Sequence, residues 1–194
     1  MNKKGTLIVI SGFSGVGKGT VVKQLVETHP FHLSISATTR SPRAGEADGR
    51  EYFFLTRDKF ESMIEEGALI EWAQYVGNYY GTPRQYVMQE LEAGNHVILE
   101  IEMQGALKIK QQFPEALLLF IAPPSADVLK ERLVNRGTED QDTIGRRLAR
   151  AYEEVEYAKD YDYLVMNDNL TKCVDQINAI VELEEMRTAK NYDF

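Results

Sequence analysis

The segment Gly12-Phe13-Ser14-Gly15-Val16-Gly17-Lys18-Gly19-Thr20 carries the strongest chemical signal in the chain. Its spacing is G-x-x-x-x-G-K. It lies between a run that reads as a strand, Leu7-Ile8-Val9-Ile10, and one that reads as a helix, Val21 to Thr28. That strand–turn–helix context is what a phosphate-binding loop requires. Glycines let successive backbone N–H groups turn inward around phosphate oxygens, and the helix N-terminus adds partial positive charge. Lys18 supplies a cation for the phosphates that transfer. The position after Lys18 is Gly19 rather than Ser or Thr, and the hydroxyl comes one residue later, on Thr20. This argues against direct ligation of a metal by that side chain and leaves a contact through water.

Such a loop serves GTPases, ATPases and kinases alike. A switch GTPase would also carry an N-K-x-D guanine reader, and the sequence has none; Glu102-Met103-Gln104-Gly105 matches D-x-x-G only with Glu in place of Asp. Charge narrows the ligand. The net charge is −8, and residues 151–194 hold 11 Asp+Glu against 4 Lys+Arg, so −7 of it lies there. Of 11 arginines, five fall between Arg132 and Arg150 and three between Arg40 and Arg50. An acidic chain with two arginine-dense patches suits a small phosphorylated ligand, not a nucleic acid.

Composition removes other classes. With 194 residues, 43% hydrophobic and 27% charged, the chain reads as one globular core domain with insertions, not a disordered or collagen-like chain. Cys173 is the single cysteine, which excludes an intramolecular disulfide framework and a cysteine-built zinc site and fits a reducing compartment. His29, His32 and His96 are too widely spaced for a histidine metal motif. The longest apolar stretch, Ala116 to Ala122, is far short of the roughly 20 residues a spanning helix needs. Met1 to Thr6 is followed by four apolar residues, too few for a signal peptide. The expectation is a cytoplasmic protein without membrane or nucleic-acid partners.

The elements that must position this chemistry follow from periodicity and punctuation. Strands are expected at Leu33–Ser36, Glu51–Leu55, Val97–Leu99, Leu117–Ile121 and Tyr163–Met166. Short strands split by Gly77-Asn78 are expected over Leu69–Tyr80. Helices are expected at Asp58–Glu66 with Thr56 as N-cap, from Pro83 to Ala93 with Gly94 as stop, and at Gln104–Gln112 and Ala126–Asn135. Two more are expected at Thr143–Ala158 and Leu170–Met186. Thr38–Gly49 and Arg136–Asp142 read as loops. Short apolar strands alternating with helices indicate an α/β fold with a parallel sheet covered on both sides. The alternation breaks over about 37–84, an inserted subdomain.

Several further motifs converge with the loop. Thr38-Thr39-Arg40-Ser41-Pro42-Arg43-Ala44-Gly45-Glu46 is followed by Gly49 and Tyr52-Phe53-Phe54. Then come Glu71-Trp72-Ala73, Gly77-Asn78-Tyr79-Tyr80-Gly81-Thr82, Leu99-Glu100-Ile101-Glu102-Met103-Gln104-Gly105, Arg136-Gly137-Thr138-Glu139 and Val165-Met166-Asn167-Asp168. The set resembles a guanylate kinase, a P-loop nucleoside monophosphate kinase that transfers the γ-phosphate of ATP to GMP. The resemblance spans about residues 6–186. It implies one domain over 1–194, with a P-loop NTPase α/β/α core at about 1–36, 85–135 and 148–194. A small α+β GMP-binding subdomain at about 37–84 and a helical lid at about 136–147 complete it. ATP and GMP are the implied substrates, with dGMP a second candidate acceptor.

The resemblance also implies roles. Gly12 through Thr20 bind ATP, with Arg132, Asn167 and Asp168 towards the adenine or its phosphates. Lys18, Arg136 and Arg147 are catalytic. Arg40, Arg43, Tyr52 and Tyr80 hold the GMP phosphate, Ser36, Glu71 and Thr82 face the base, and Glu46 belongs to the same pocket. Mg²⁺ accompanies ATP and is met through water by Thr20 and Glu100, where many relatives carry Asp.

Residue chemistry supports the acceptor assignment. Arginine forks match phosphate oxygens bidentately. Guanine offers N1–H and an exocyclic amine as adjacent donors, and one carboxylate, Glu71, can accept both; Ser36 and Thr82 hydroxyls can donate to O6. Adenine would leave that carboxylate unpaired, which can cost about 10⁴-fold. Tyr79 and Phe53 read as core aromatics, and Arg50 and Arg84 as surface charges. Two other readings remain. A non-catalytic peptide-binding scaffold of the same fold is disfavoured by the retained Lys18, Arg136 and Arg147. A P-loop kinase for another acceptor is disfavoured by Glu71, Ser36 and Thr82.

Overall fold

The computed structural model describes residues 4–135 and 141–187. Five strands form one sheet in the order β2-β7-β1-β8-β9. They are β1 (Leu7–Gly12), β2 (Phe31–Leu33), β7 (His96–Glu100), β8 (Leu117–Ala122) and β9 (Tyr163–Met166). β2 pairs with β7, and β8 with β9, in parallel. Every residue of β1 and β8 is buried, the pattern of strands covered on both faces. Helices α1 (Lys18–Thr28), α3 (Arg84–Glu92), α4 (Met103–Gln112), α5 (Ala126–Asn135), α6 (Gln141–Tyr157) and α7 (Leu170–Glu185) alternate with these strands. The α/β class expected from the sequence is present. Among the described residues no helix is long and apolar enough to cross a membrane.

Four further strands form a second sheet in the order β4-β3-β6-β5: β3 (Ala37–Thr38), β4 (Phe53–Phe54), β5 (Leu69–Tyr75) and β6 (Asn78–Pro83). α2 (Arg57–Glu65) lies between β4 and β5 in sequence. Its start is fixed by Thr56, whose side chain accepts from the Lys59 N–H at 3.3 Å, the N-cap expected there. Phe60 from α2, Ala37 and Leu69 make a small apolar core of their own.

By internal packing the chain forms two compact units. The first comprises residues 1–9 and 31–117, the second residues 10–30 and 118–194. The second sheet and the segment carrying Arg40 to Thr82 belong to the first unit. The glycine-rich loop and the segment from Leu118 onward belong to the second.

Four local readings are corrected. The strand expected at Leu33–Ser36 runs instead over Phe31–Leu33, because Phe31 is buried and pairs with His96. Ser34 N–H still donates to Ile98, and the chain then leaves the sheet. The strand expected at Glu51–Leu55 is limited to β4, and Phe53, expected in a core, is 38% exposed. The β5–β6 turn is Val76-Gly77 rather than Gly77-Asn78. Tyr75 pairs with Asn78, and both turn residues have positive φ, 47° and 78°, as a two-residue hairpin with matching twist demands. Gln141 and Asp142 open α6 rather than end a loop; residues 136–140 of that expected loop lie outside the described residues.

Candidate active site

In the second unit β1 runs into the loop and Lys18 opens α1. Gly15 has φ 89°, and a Cβ there would stand 2.5 Å from Leu133 Cδ2, so conformation and packing both demand glycine. Lys18 Nζ donates to the carbonyls of Gly12 (2.6 Å) and Phe13 (3.3 Å), which lays the ammonium over the loop. Phe13 is buried and anchored edge-on against Phe120, ring centroids 5.0 Å apart. On the other flank the Val16 carbonyl accepts from Asn167 Nδ2 (2.9 Å) and from Arg132 Nη1 (3.0 Å). Arg132 Nη2 also donates to the Asn167 carbonyl at 2.7 Å. Two side chains therefore fix one loop carbonyl. Beside them lies a cleft of ≈ 340 Å³ lined by Gly17, Thr20, Arg132, Asn167 and Asp168, among others. Arg147 Nη1 donates to Ser14 Oγ at 3.3 Å. Arg136 lies outside the described residues.

The first unit gathers the other predicted residues. Arg40 grips Glu46 through two parallel bonds of 3.0 and 3.1 Å. That hydrogen bonding raises the Arg40 pKa above its ordinary value and holds the Glu46 carboxyl below the usual range. Glu46 also accepts from the Arg43 N–H at 2.7 Å. Both its oxygens are thus engaged, and it serves as the partner that orients Arg40. The Arg40 guanidinium lies 5.4 Å from the centre of the Tyr52 ring, and the Tyr52 and Tyr80 rings are 6.1 Å apart. Burial, and next the charge of Glu100, push the Tyr52 hydroxyl up. Glu100 at the end of β7 therefore acts on this cluster. Arg43 is exposed beside it.

Glu71, in β5, is only 6% exposed and faces Thr82 of β6, which is fully buried. An irregularity in register between Leu69 and Glu71 puts the two residues opposite each other. Thr82 Oγ1 donates to Glu71 Oε1 at 2.8 Å. Burial pushes the Glu71 carboxyl above the ordinary carboxylate range, and the Thr82 hydrogen bond and the Lys108 charge pull it part of the way back. Ser36 immediately precedes β3, whose Ala37 pairs with Gly81 next to Thr82. A buried acid facing a hydroxyl can accept two adjacent donors, and the arginine–tyrosine cluster can hold an anion.

Comparison with known proteins decides the family. Residues 4–184 match the family described as guanylate kinase. The chain is 50% identical over 194 residues to the guanylate kinase of Caldanaerobacter subterraneus, covering 100% of this chain and 94% of that one. It is 53% identical over 189 residues to the Bacillus subtilis guanylate kinase, covering 96% and 93%. The chain belongs to the guanylate kinase family. A crystal structure of guanylate kinase from Anaplasma phagocytophilum superposes with a TM-score of 0.80 at 31% identity, over 97% of this chain and 90% of that one.

Within this guanylate kinase fold, several residues that shape the site escaped sequence reasoning. Thr38 Oγ1 donates to the Tyr79 carbonyl (2.8 Å) and accepts from the Arg40 N–H (3.2 Å). Thr39 Oγ1 accepts from the Tyr79 N–H at 2.9 Å. These hydroxyls staple the arginine turn to β6. Arg84, read as a surface charge, bonds the carbonyls of Gly67 (3.2 Å) and Leu69 (3.3 Å) and so secures the start of β5. Arg50 is exposed and pairs with Glu51, as expected. Tyr79 stacks on Phe60 at 5.3 Å, a core role as expected.

Proposed function

We propose that this chain transfers the γ-phosphate of ATP to GMP, giving ADP and GDP, in the cytoplasm. The observation that carries the reading is the buried Glu71 carboxylate held by Thr82. An acid this desolvated needs two good donors, and the guanine N1–H and amine supply them side by side. The test is a panel of GMP, dGMP, AMP, CMP and UMP as acceptors with ATP and Mg²⁺. Turnover confined to the guanine nucleotides supports the reading, and equal use of AMP contradicts it.

Phosphoryl transfer has a loose transition state, so the protein contributes position and charge. Backbone N–H groups of Gly12 to Thr20 cradle the ATP phosphates, with Lys18 on the β and γ oxygens. Asn167 and Arg132 keep the loop in shape through Val16, and Asp168 borders the adenine. Arg40 and Arg43, with the Tyr52 and Tyr80 hydroxyls, hold the GMP phosphate as acceptor. Ser36 and Thr82 complement Glu71 on the base. Arg147 and Arg136 neutralise the transferring group. The segment 37–84 binds GMP, and 136–147 acts as a lid whose closure excludes water, which would otherwise compete as acceptor.

Among the described residues no group of three His, Cys, Asp or Glu side chains could hold a metal ion. That fits Mg²⁺, which takes one or two protein oxygens and fills its shell with phosphate oxygens and water. Glu100 and Thr20 would meet it through water, where it would neutralise phosphate charge.

A further inference from the structure

α4 packs against β5, and two of its residues bear on the base-reading carboxylate. Gly105 is buried, and a Cβ built on it would lie 2.7 Å from Glu71 Oε2 and 3.3 Å from Glu71 Cδ. Its φ is not left-handed, so the helix itself makes no demand for glycine; alanine is the better helix former. The demand comes from Glu71. The carboxylate cannot yield easily, because Oε1 is tied to Thr82 and the side chain is buried. One turn further along, Lys108 Nζ donates to the Trp72 carbonyl at 2.8 Å and lies 5.5 Å from the centre of the Trp72 ring. Trp72 is the residue after Glu71, so this tether fixes a positive charge beside the acid.

We propose that α4 is part of the guanine-reading device: Gly105 leaves the room in which the Glu71 carboxylate sits, and Lys108, tethered to the Trp72 carbonyl, holds a positive charge beside it. Gly105 is a specificity-determining position and Lys108 a positioning residue. The inference rests on the reading of Glu71 as the acceptor of the guanine donors. The groups acting on that carboxylate are Thr82 from β6 and Lys108 from α4, so Lys108 is the charge to change.

The experiment is steady-state kinetics on the full chain with ATP as donor and GMP or IMP as acceptor. IMP keeps N1–H and lacks the exocyclic amine. Gly105→Ala is expected to raise KM for GMP roughly tenfold or more, to leave KM for ATP within about twofold, and to narrow the preference for GMP over IMP. The parent-like KM for ATP, together with a single cooperative melting transition, separates a crowded carboxylate from a damaged fold. Lys108→Met is expected to raise KM for GMP about threefold and to move the acid limb of kcat/KM for GMP to higher pH; Lys108→Arg restores both.

Parent-like KM and GMP-over-IMP preference in Gly105→Ala overturn the role of Gly105. An unmoved acid limb in Lys108→Met overturns that of Lys108 and decides the matter alone should Gly105→Ala not fold. Glu71→Gln is run alongside. If it leaves KM for GMP unchanged, the reading of Glu71 itself fails. If it weakens GMP while the α4 variants do not, only the present inference fails.

Discussion

The loop at Gly12–Thr20 offers a ligand its backbone, whereas the region around Arg40, Glu71 and Thr82 offers side chains. In the loop, glycines and the start of α1 define the shape, and Asn167 and Arg132 spend their donors on the Val16 carbonyl. Amide N–H groups and one ammonium suit the phosphate of any nucleotide. In the first unit, the region proposed for the acceptor offers mostly charged and hydroxyl side chains. Arg40 is oriented by Glu46, and Glu71 by Thr82. The two carboxylates there are opposites. Glu46 is held below the ordinary range by Arg40, while Glu71 is pushed above it by burial. A backbone cradle needs no buried charge and reads no base. Reading a base requires an acid kept dry, at a cost to the fold.

Lys18→Ala removes the ammonium that lies over the loop; it is expected to lower turnover about 10²–10³-fold in a coupled ADP assay while GMP affinity by calorimetry stays near the parent value. A parallel loss of GMP affinity would blur the division.

pH separates the two carboxylates. Because the Glu71 pKa is raised in the folded protein, the native state takes up its proton before the unfolded chain does. Its ionisation therefore costs stability above that raised pKa, and the cost disappears as pH falls through it. GMP binding runs the other way: KM for GMP should rise about tenfold per pH unit below the Glu71 pKa, with the acid limb above the ordinary carboxylate range. Glu46 has the opposite sign, since its lowered pKa means that its contribution is present above the unfolded value and fades in acid. A GMP pH profile flat down to the ordinary range would break the contrast. Glu71→Gln should accordingly melt no lower than the parent at neutral pH, by scanning calorimetry.

Asn167→Ala should be the mildest change. The Val16 carbonyl keeps its bond from Arg132, so KM for ATP is expected to rise about three- to tenfold with KM for GMP unmoved.

The same contrast explains what could be read from the sequence. The loop is contiguous, so its spacing alone announces phosphate binding. The Thr56 cap, the Gly94 stop at φ 89° and the buried runs of β1 and β8 are local signals of the same kind. The residues proposed for the acceptor are scattered between the turns around Arg40 and the strands β5 and β6, and without a family resemblance nothing local ties Glu71 to Thr82. Gly105 shows the limit. It stands in Glu102-Met103-Gln104-Gly105, which reads as a weak copy of a switch motif, and its constraint comes from a carboxylate on another element. Phe31 gives no local sign of starting a strand, because its partner His96 lies far along the chain, and the aromatic run at Phe53 suggests a burial that a two-residue edge strand does not provide.

The most direct measurement titrates GMP and ATP separately into Glu71→Gln by calorimetry. GMP affinity is predicted to fall about 10–100-fold, because an amide cannot accept both guanine donors, with ATP affinity unchanged. Unchanged GMP affinity, or an equal loss for both nucleotides, contradicts the assignment of base reading to Glu71.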